Sequence, residues 1–362
     1  MAERDAGRSG ERIHSAELES YVRGVSCRVA EEYCGDIRLY LMQRPFFNAT
    51  MAPNGYMEVW SGLLLRAENE AQLAFIMGHE AGHYIERHSL DAQRAYRARA
   101  NAALALTVGI ALIGVAAAAN NPYSAQSIMD ATGNLVDIVY LASIASFFGY
   151  TRENESEADA VGFQRAAAAG YDKRAPVVLW RNLMEEVANS DFEATRRREA
   201  RFSIFNSHPL TSERTAALET LQASAGDGGA EAREAHRAAI RPFLDPWLRD
   251  ELRKRDYGPM LFLIARLERG GEDLGMLSFY RGETYRLRRN EGDLALAQAA
   301  YEAAIVHVDT PAAAWRQLGE IYARSQRADE AAGMLRVYLE KAPEASDRFL
   351  VERRLAALGG AE

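Results

Sequence analysis

His79-Glu80-Ala81-Gly82-His83 is the stretch of this chain best equipped for chemistry. Two histidines four apart on a helix point the same way, so both imidazoles can grip one ion. Glu80 lies beside them and can reach a water on that ion. Two neutral imidazoles leave a zinc ion strongly Lewis acidic. By average composition the pattern arises by accident in roughly one chain of this length in a hundred. Structural zinc takes four protein ligands, whereas catalytic zinc takes three and keeps a position open. A third ligand is therefore sought downstream, and Thr151–Asp159 (TRENESEAD) supplies carboxylates on a predicted helix. Glu155 and Asp159 are four apart and share a face; Glu153 and Glu157 form the competing pair. Spacing does not choose between the pairs.

These residues need elements to hold them. Leu73, Phe75, Ile76 and Met77 lead into the motif and give its helix, predicted from Glu68 to about Ala100, a buried apolar side. The carboxylate helix is predicted from about Arg152 to Ala169, ended by Gly170. Upstream, 15–34 reads as a helix with Leu18, Val22, Val25 and Val29 near one face, and 36–42 reads as a strand. Pro53-Asn54-Gly55 is a turn signal between 46–51 and 56–60, so a small antiparallel sheet is expected before the motif helix. Further helices are predicted over about Pro176–Ala188 and Ser212–Leu221, the latter after the loop Ser207-His208-Pro209. His88 lies nine residues past His79, which puts it on the opposite face of a continuous helix and reads as structural. His14, His236 and His307 receive no functional reading.

Composition narrows the setting. A chain of 362 residues fits about two domains. Lys and Arg total 43 against 51 Asp and Glu, a net charge of -8, which excludes nucleic acid as the main partner. The one dense basic cluster, Arg196-Arg197-Arg198, reads as a solvated helix face. Cys27 and Cys34 would be roughly 10 Å apart on one regular helix, too far to bond, but a helix ending before Gly35 would let them meet. They leave the redox compartment open. Residues 1–14 are expected to be disordered and show no signal-peptide pattern. Residues 102–119 carry no charge over 18 positions, and 135–150 are apolar except for Asp137. They read as two core helices packed through Ala and Gly, with a membrane hairpin as the alternative.

Residues 223–230 (ASAGDGGA) read as a linker. Beyond it, Trp315, Leu318, Gly319, Tyr322, Ala331, Leu335 and Pro343 match tetratricopeptide spacing. Gly282, Tyr285, Ala297, Tyr301 and Ala304 match the same frame one repeat earlier, with three extra residues between the helices, and 246–269 reads as a degenerate helix pair. The expected fold class is α+β, mainly α: a domain over 15–222 with a small antiparallel sheet, then a helical repeat solenoid over 231–362. The concave face of such a solenoid would dock a protein partner or cover the cleft.

Four motifs together carry a family resemblance: Asn48-Ala49; His79–His83 extended to Arg87-His88; Arg152…Glu155-x-x-Ala158-Asp159; and His208-Pro209 followed by Arg214. Over about residues 35–220 the chain resembles the HtpX and BepA type of zinc metallopeptidases, a gluzincin branch related to the CAAX prenyl proteases. With its repeats it is similar to the BepA-type periplasmic members. The resemblance implies a gluzincin-type fold and one Zn²⁺ per chain on His79, His83 and Glu155. It makes Asp159 a carboxylate that orients a ligating histidine. It makes His208 a cap on the open position or a donor to the oxyanion. The implied activity is endopeptidase hydrolysis of extended or misfolded envelope proteins, with Glu80 as general base on the zinc-bound water. Substrate would add as a strand along Asn48-Ala49-Thr50. The implied location is the periplasm or cell envelope with a signal removed, the alternative being the cytoplasm. The competing function is a repeat-based binding protein or holdase with a closed or residual metal site.

Overall fold

The structure is a computed structural model, and it describes residues 2–88, 151–197 and 212–359. The segments 102–119 and 135–150 lie outside the described residues, as does His208. Among the described residues no helix is long and apolar enough to cross a membrane. The chain divides into two compact units, residues 1–181 with 198–239, and residues 182–197 with 240–362.

In the first unit the N-terminus departs from the expected disorder. Helix α1 (Ala2–Arg8) is tied down by two kinds of contact. Ala6 packs on Met42 and Tyr56, and the Arg38 guanidinium donates to both Glu3 oxygens at 2.6 and 2.8 Å. Helix α2 (Ala16–Val29) starts where the Ser15 hydroxyl accepts from the Leu18 N–H. Leu18, Val22, Val25 and Val29 form its buried stripe, as their spacing requires. The helix stops at Val29, and a 3-10 turn over Glu31–Tyr33 carries Cys34 back. Cys27 and Cys34 form a disulfide with their Cα atoms 4.8 Å apart.

Three strands follow: β1 (Arg38–Met42), β2 (Ala49–Met51) and β3 (Tyr56–Trp60). Their order is β1-β3-β2. The β2–β3 hairpin is antiparallel as expected, with Ala49 opposite Val59 and Met51 opposite Met57. The expectation of a wholly antiparallel sheet is corrected by β1, which pairs parallel to β3. The turn that allows this depends on Gly55, at φ +82°, where a Cβ would fall 2.1 Å from the Asp36 carbonyl oxygen. Strand β2 is an edge, with no strand on its outer side among the described residues.

Helix α3 (Ser61–Arg66) leads into α4 (Glu70–Ile85), which is buried along nearly its whole length. The Asn69 side chain caps α4 by accepting from the Gln72 N–H at 2.9 Å. Helix α5 (Arg152–Ala168) begins in a capping box between Thr151 and Asn154 and packs on α4. Helix α6 (Ala175–Ala188) follows, and its residues through Arg181 belong to this unit. After α7 (Glu193–Arg197) in the second unit, α8 (Ser212–Ala225) returns to the first and buries Arg214, Thr215 and Leu218. The expected linker is partly fixed in place. Ala230 exchanges backbone hydrogen bonds with Gly170 and Asp172, and Gly229 sits at φ +115° beside the Tyr171 backbone. Helix α9 (Arg233–Ile240) then places His236 against the Leu64 carbonyl at 3.0 Å.

The second unit is a succession of helices: α10 (Leu244–Arg253), α11 (Tyr257–Glu268), α12 (Leu274–Arg288), α13 (Asp293–Ala304), α14 (Ala313–Arg324), α15 (Ala328–Lys341) and α16 (Arg348–Gly359). Each from α11 onward packs on the next. Small residues admit large ones at the contacts. A Cβ on Gly282 would meet the Tyr301 ring at 2.5 Å, and one on Gly319 would meet Leu335 at 2.9 Å.

Candidate metal centre

The close approach of α4 to α5 builds the site. Gly78 and Gly82 on α4 face Ala158, Val161 and Gly162 on α5. A Cβ on Gly162 would lie 2.7 Å from the His79 nitrogen and 2.9 Å from the Phe75 carbonyl oxygen, so the helix backbones touch there. Asp159 and Glu155 lie one and two turns before Gly162, on the same buried stripe. The crossing therefore sets those two carboxylates against His79 and His83.

Three side chains converge. The Nε2 atoms of His79 and His83 are 3.1 Å apart. The Glu155 carboxylate reaches both, with Oε2 at 3.8 Å from His79 Nε2 and Oε1 at 3.6 Å from His83 Nε2. All three residues are buried. Ligands about 2.0–2.1 Å from a tetrahedral zinc lie about 3.3 Å from one another, so the spacing fits a zinc ion with little movement. The donor set, two imidazole nitrogens and one carboxylate, is one that zinc favours. Glu155 is thus the carboxylate brought to the histidines, whereas Glu153 is exposed. Glu80, next to His79 on α4, is also buried.

The far side of each imidazole is engaged as well. Asp159 Oδ1 lies 3.0 Å from His79 Nδ1. Asp159 is in turn held by Arg214, whose Nε and Nη2 donate to its two oxygens at 2.7 Å each. The third guanidinium nitrogen, Nη1, lies 2.7 Å from Glu155 Oε2. Arg214 also lies over the Trp180 ring, at 5.3 Å. Burial opposes the charge on both partners. Even so, the Arg214 guanidinium and His79 keep the Asp159 carboxyl below the usual carboxylate range. Likewise Asp159, Glu155 and Glu80 outweigh burial and hold Arg214 above its ordinary value.

His88 corrects the sequence reading. Helix α4 ends at Ile85, and Arg87 adopts φ 60°, so the chain folds back instead of continuing the helix. His88 Nδ1 then lies 3.0 Å from His83 Nδ1, and its Nε2 lies 3.1 Å from Glu157 Oε2. Sequence reasoning missed this pair because it assumed a straight helix through residue 88. Arg214 entered that reading only as part of a motif, with no role. Asn48 is buried beside β2, its carbonyl accepting from the Trp60 N–H at 3.1 Å, and Ala49 opens the edge strand. Strand β2 packs on α4.

Comparison with known proteins agrees with this geometry. Residues 13–222 match peptidase family M48. The beta-barrel assembly-enhancing protease of Escherichia coli K12 is 26% identical over 207 residues, covering 56% of this chain and 39% of that protein. The mitochondrial metalloendopeptidase OMA1 of Schizosaccharomyces pombe is 27% identical over 145 residues, covering 40% of this chain and 37% of that protein. Its human counterpart is 28% identical over 145 residues, covering 40% of this chain and 26% of that protein. The chain thus spans between about a quarter and two-fifths of the length of these curated relatives. The family match takes in the sheet, both site helices and Arg214, and extends over more than half of the sequence: this chain belongs to peptidase family M48.

Proposed function

We propose that this protein is a zinc-dependent endopeptidase that hydrolyses peptide bonds in extended or misfolded proteins of the cell envelope. The observation that carries the reading is the convergence of His79, His83 and Glu155, with Glu80 buried beside them. A zinc ion held by those three ligands would lower the pKa of a bound water toward about 7 and polarise a peptide carbonyl. Glu80 is the general base: it takes the proton from the attacking water and returns it to the leaving amine. Asp159 accepts from His79 Nδ1 and so keeps the Nε2 lone pair turned to the centre. Arg214 fixes Asp159 and Glu155 together. His208 is assigned a place at the open position by resemblance alone, as a cap or as a donor to the oxyanion.

The edge position of β2, packed on α4, supports substrate binding as an added strand beside Asn48 and Ala49. Main-chain pairing of that kind tolerates many sequences, as a quality-control protease requires. The Cys27–Cys34 disulfide supports an oxidising location such as the periplasm. The name of the Escherichia coli relative, a beta-barrel assembly-enhancing protease, points the same way. The packed pairs α12–α13 and α14–α15 support a tetratricopeptide-like arrangement that docks partners or gates access.

The test is Glu80→Gln. Metal analysis should find one zinc per chain in both forms, and a casein-type assay should show cleavage by the wild type alone. Cleavage by Glu80→Gln at the wild-type rate would refute the proposal and favour a binding protein with an idle metal site.

A further inference from the structure

We infer that His88 and Glu157 form a positioning relay for His83, one that fixes the ring's tautomer and carries its outer hydrogen bond to the protein surface. The inference rests on the metal centre proposed above and adds two residues to it. The geometry is that of a directed chain. If His83 presents the Nε2 lone pair to the centre, its remaining proton sits on Nδ1. That Nδ1–H faces His88 Nδ1 at 3.0 Å, so His88 must accept there. Its own proton then sits on Nε2, which faces Glu157 Oε2 at 3.1 Å. A carboxylate can only accept, and it terminates the chain. The polarity is forced from both ends: ligand duty at one and an ionised carboxylate at the other.

The surroundings fit a positioning role. His88 is 3% exposed, so water does not substitute for either partner. The Glu157 side chain is 54% exposed, so anchoring the buried ring there buries no carboxylate. The two ligand histidines are therefore held by different means. His79 meets a buried carboxylate directly, and that carboxylate is neutralised by Arg214. His83 meets a neutral ring whose carboxylate lies outside. The Arg87 backbone at φ 60° exists in this arrangement to return His88 to His83.

Two measurements test the relay on the full chain. In zinc-loaded wild type carrying ¹⁵N-labelled histidine, His83 should show a proton on Nδ1, and His88 should be neutral with its proton on Nε2. A proton on His88 Nδ1 would overturn the relay. Zinc affinity is read by chelator competition. His88→Leu removes the acceptor and should weaken binding about 10- to 100-fold. His88→Asn keeps an acceptor near the Nδ1 position and should restore most of that loss. A ring that merely fills space predicts equal behaviour of the two variants, and such a result would overturn the proposal. Glu157→Ala changes only a surface side chain, so it folds even where His88→Leu does not, and should weaken zinc about tenfold. Wild type that takes up no zinc would remove the metal centre and the relay together. Zinc uptake by wild type with unchanged affinity in Glu157→Ala and His88→Leu would remove the relay alone.

Discussion

Replacement of Arg214 by Met tests the electrostatics of the site most directly. The guanidinium is 5% exposed and lies 2.7 Å from oxygens of both Asp159 and Glu155, each 2% exposed. Met keeps much of the apolar stem and removes the charge. Removing one partner of a buried ion pair costs about 3–5 kcal/mol, because the other charge stays behind unpaired. Here two carboxylates stay behind. The zinc-free protein should therefore lose about 3–5 kcal/mol in urea denaturation. Zinc held on Glu155, as proposed, would replace part of the missing positive charge, so the zinc-loaded variant should lose less. By linkage the gap between the two losses is a gain in zinc affinity, tenfold for each 1.4 kcal/mol or so. Four denaturation curves decide the matter: wild type and Arg214→Met, each with and without zinc. Equal losses in both forms would refute the charge balance described here. So would a zinc-free variant within about 0.5 kcal/mol of wild type.

Two further outcomes follow from the same structure. Gly162→Ala puts a methyl group 2.7 Å from the His79 nitrogen and must separate α4 from α5; it should cost about 1–3 kcal/mol and weaken zinc binding, whereas Gly170→Ala, where no atom lies within 4 Å of the new carbon, should leave zinc binding unchanged despite its strained φ of +86°. Isothermal titration with zinc separates the two. His236 supplies a pH dependence: burial holds it down to about 4 from an ordinary 6.5, so it stays neutral in the folded protein while the unfolded chain takes up a proton. Stability from this group is then full above about pH 6.5 and lost as pH falls toward 4, about 2 kcal/mol by pH 5, and His236→Gln should flatten that part of the stability–pH curve.

The parts of the site legible in the sequence are those with helical spacing. His79 and His83, and Glu155 and Asp159, are each i,i+4 pairs; the carboxylate helix forms close to its expected limits, whereas the motif helix starts near its expected N-terminus but stops at Ile85, well short of Ala100. Spacing left Glu155 and Glu153 as rivals because either face of an isolated helix can turn inward. The face is decided by Gly162 and Ala158, which share the Glu155 stripe and let α4 approach. His88 was hidden for a different reason. Its position depends on a left-handed Arg87, and a non-glycine residue at positive φ leaves no compositional signal. Arg214 reaches the site from α8, 55 positions beyond Asp159, and nothing local marks so distant a partner. The sheet shows the same limit. The hairpin turn signal specifies β2 against β3, but the parallel pairing of β1 depends on contacts far along the chain.

The charge balance of the core explains why these pieces belong together. Glu80, Glu155 and Asp159 are buried within reach of one buried guanidinium, Arg214. Among the described residues, three ionised carboxylates beside one guanidinium would crowd negative charge into a buried region. Such an imbalance is expensive to bury. A divalent cation held by the two imidazoles and Glu155, as proposed above, would offset it. The same balance gives each carboxylate a separate task. Asp159 takes two of the Arg214 bonds and faces His79 Nδ1 at 3.0 Å, which suits orientation of that ring. Glu155 shares Arg214 and faces both ring nitrogens, which suits a ligand. Glu80 sits beside His79 on the same helix, the position that suits the general base proposed above. Arg214 therefore does more than neutralise charge: by engaging Asp159 and Glu155 at once it ties the two carboxylates of α5 into one arrangement.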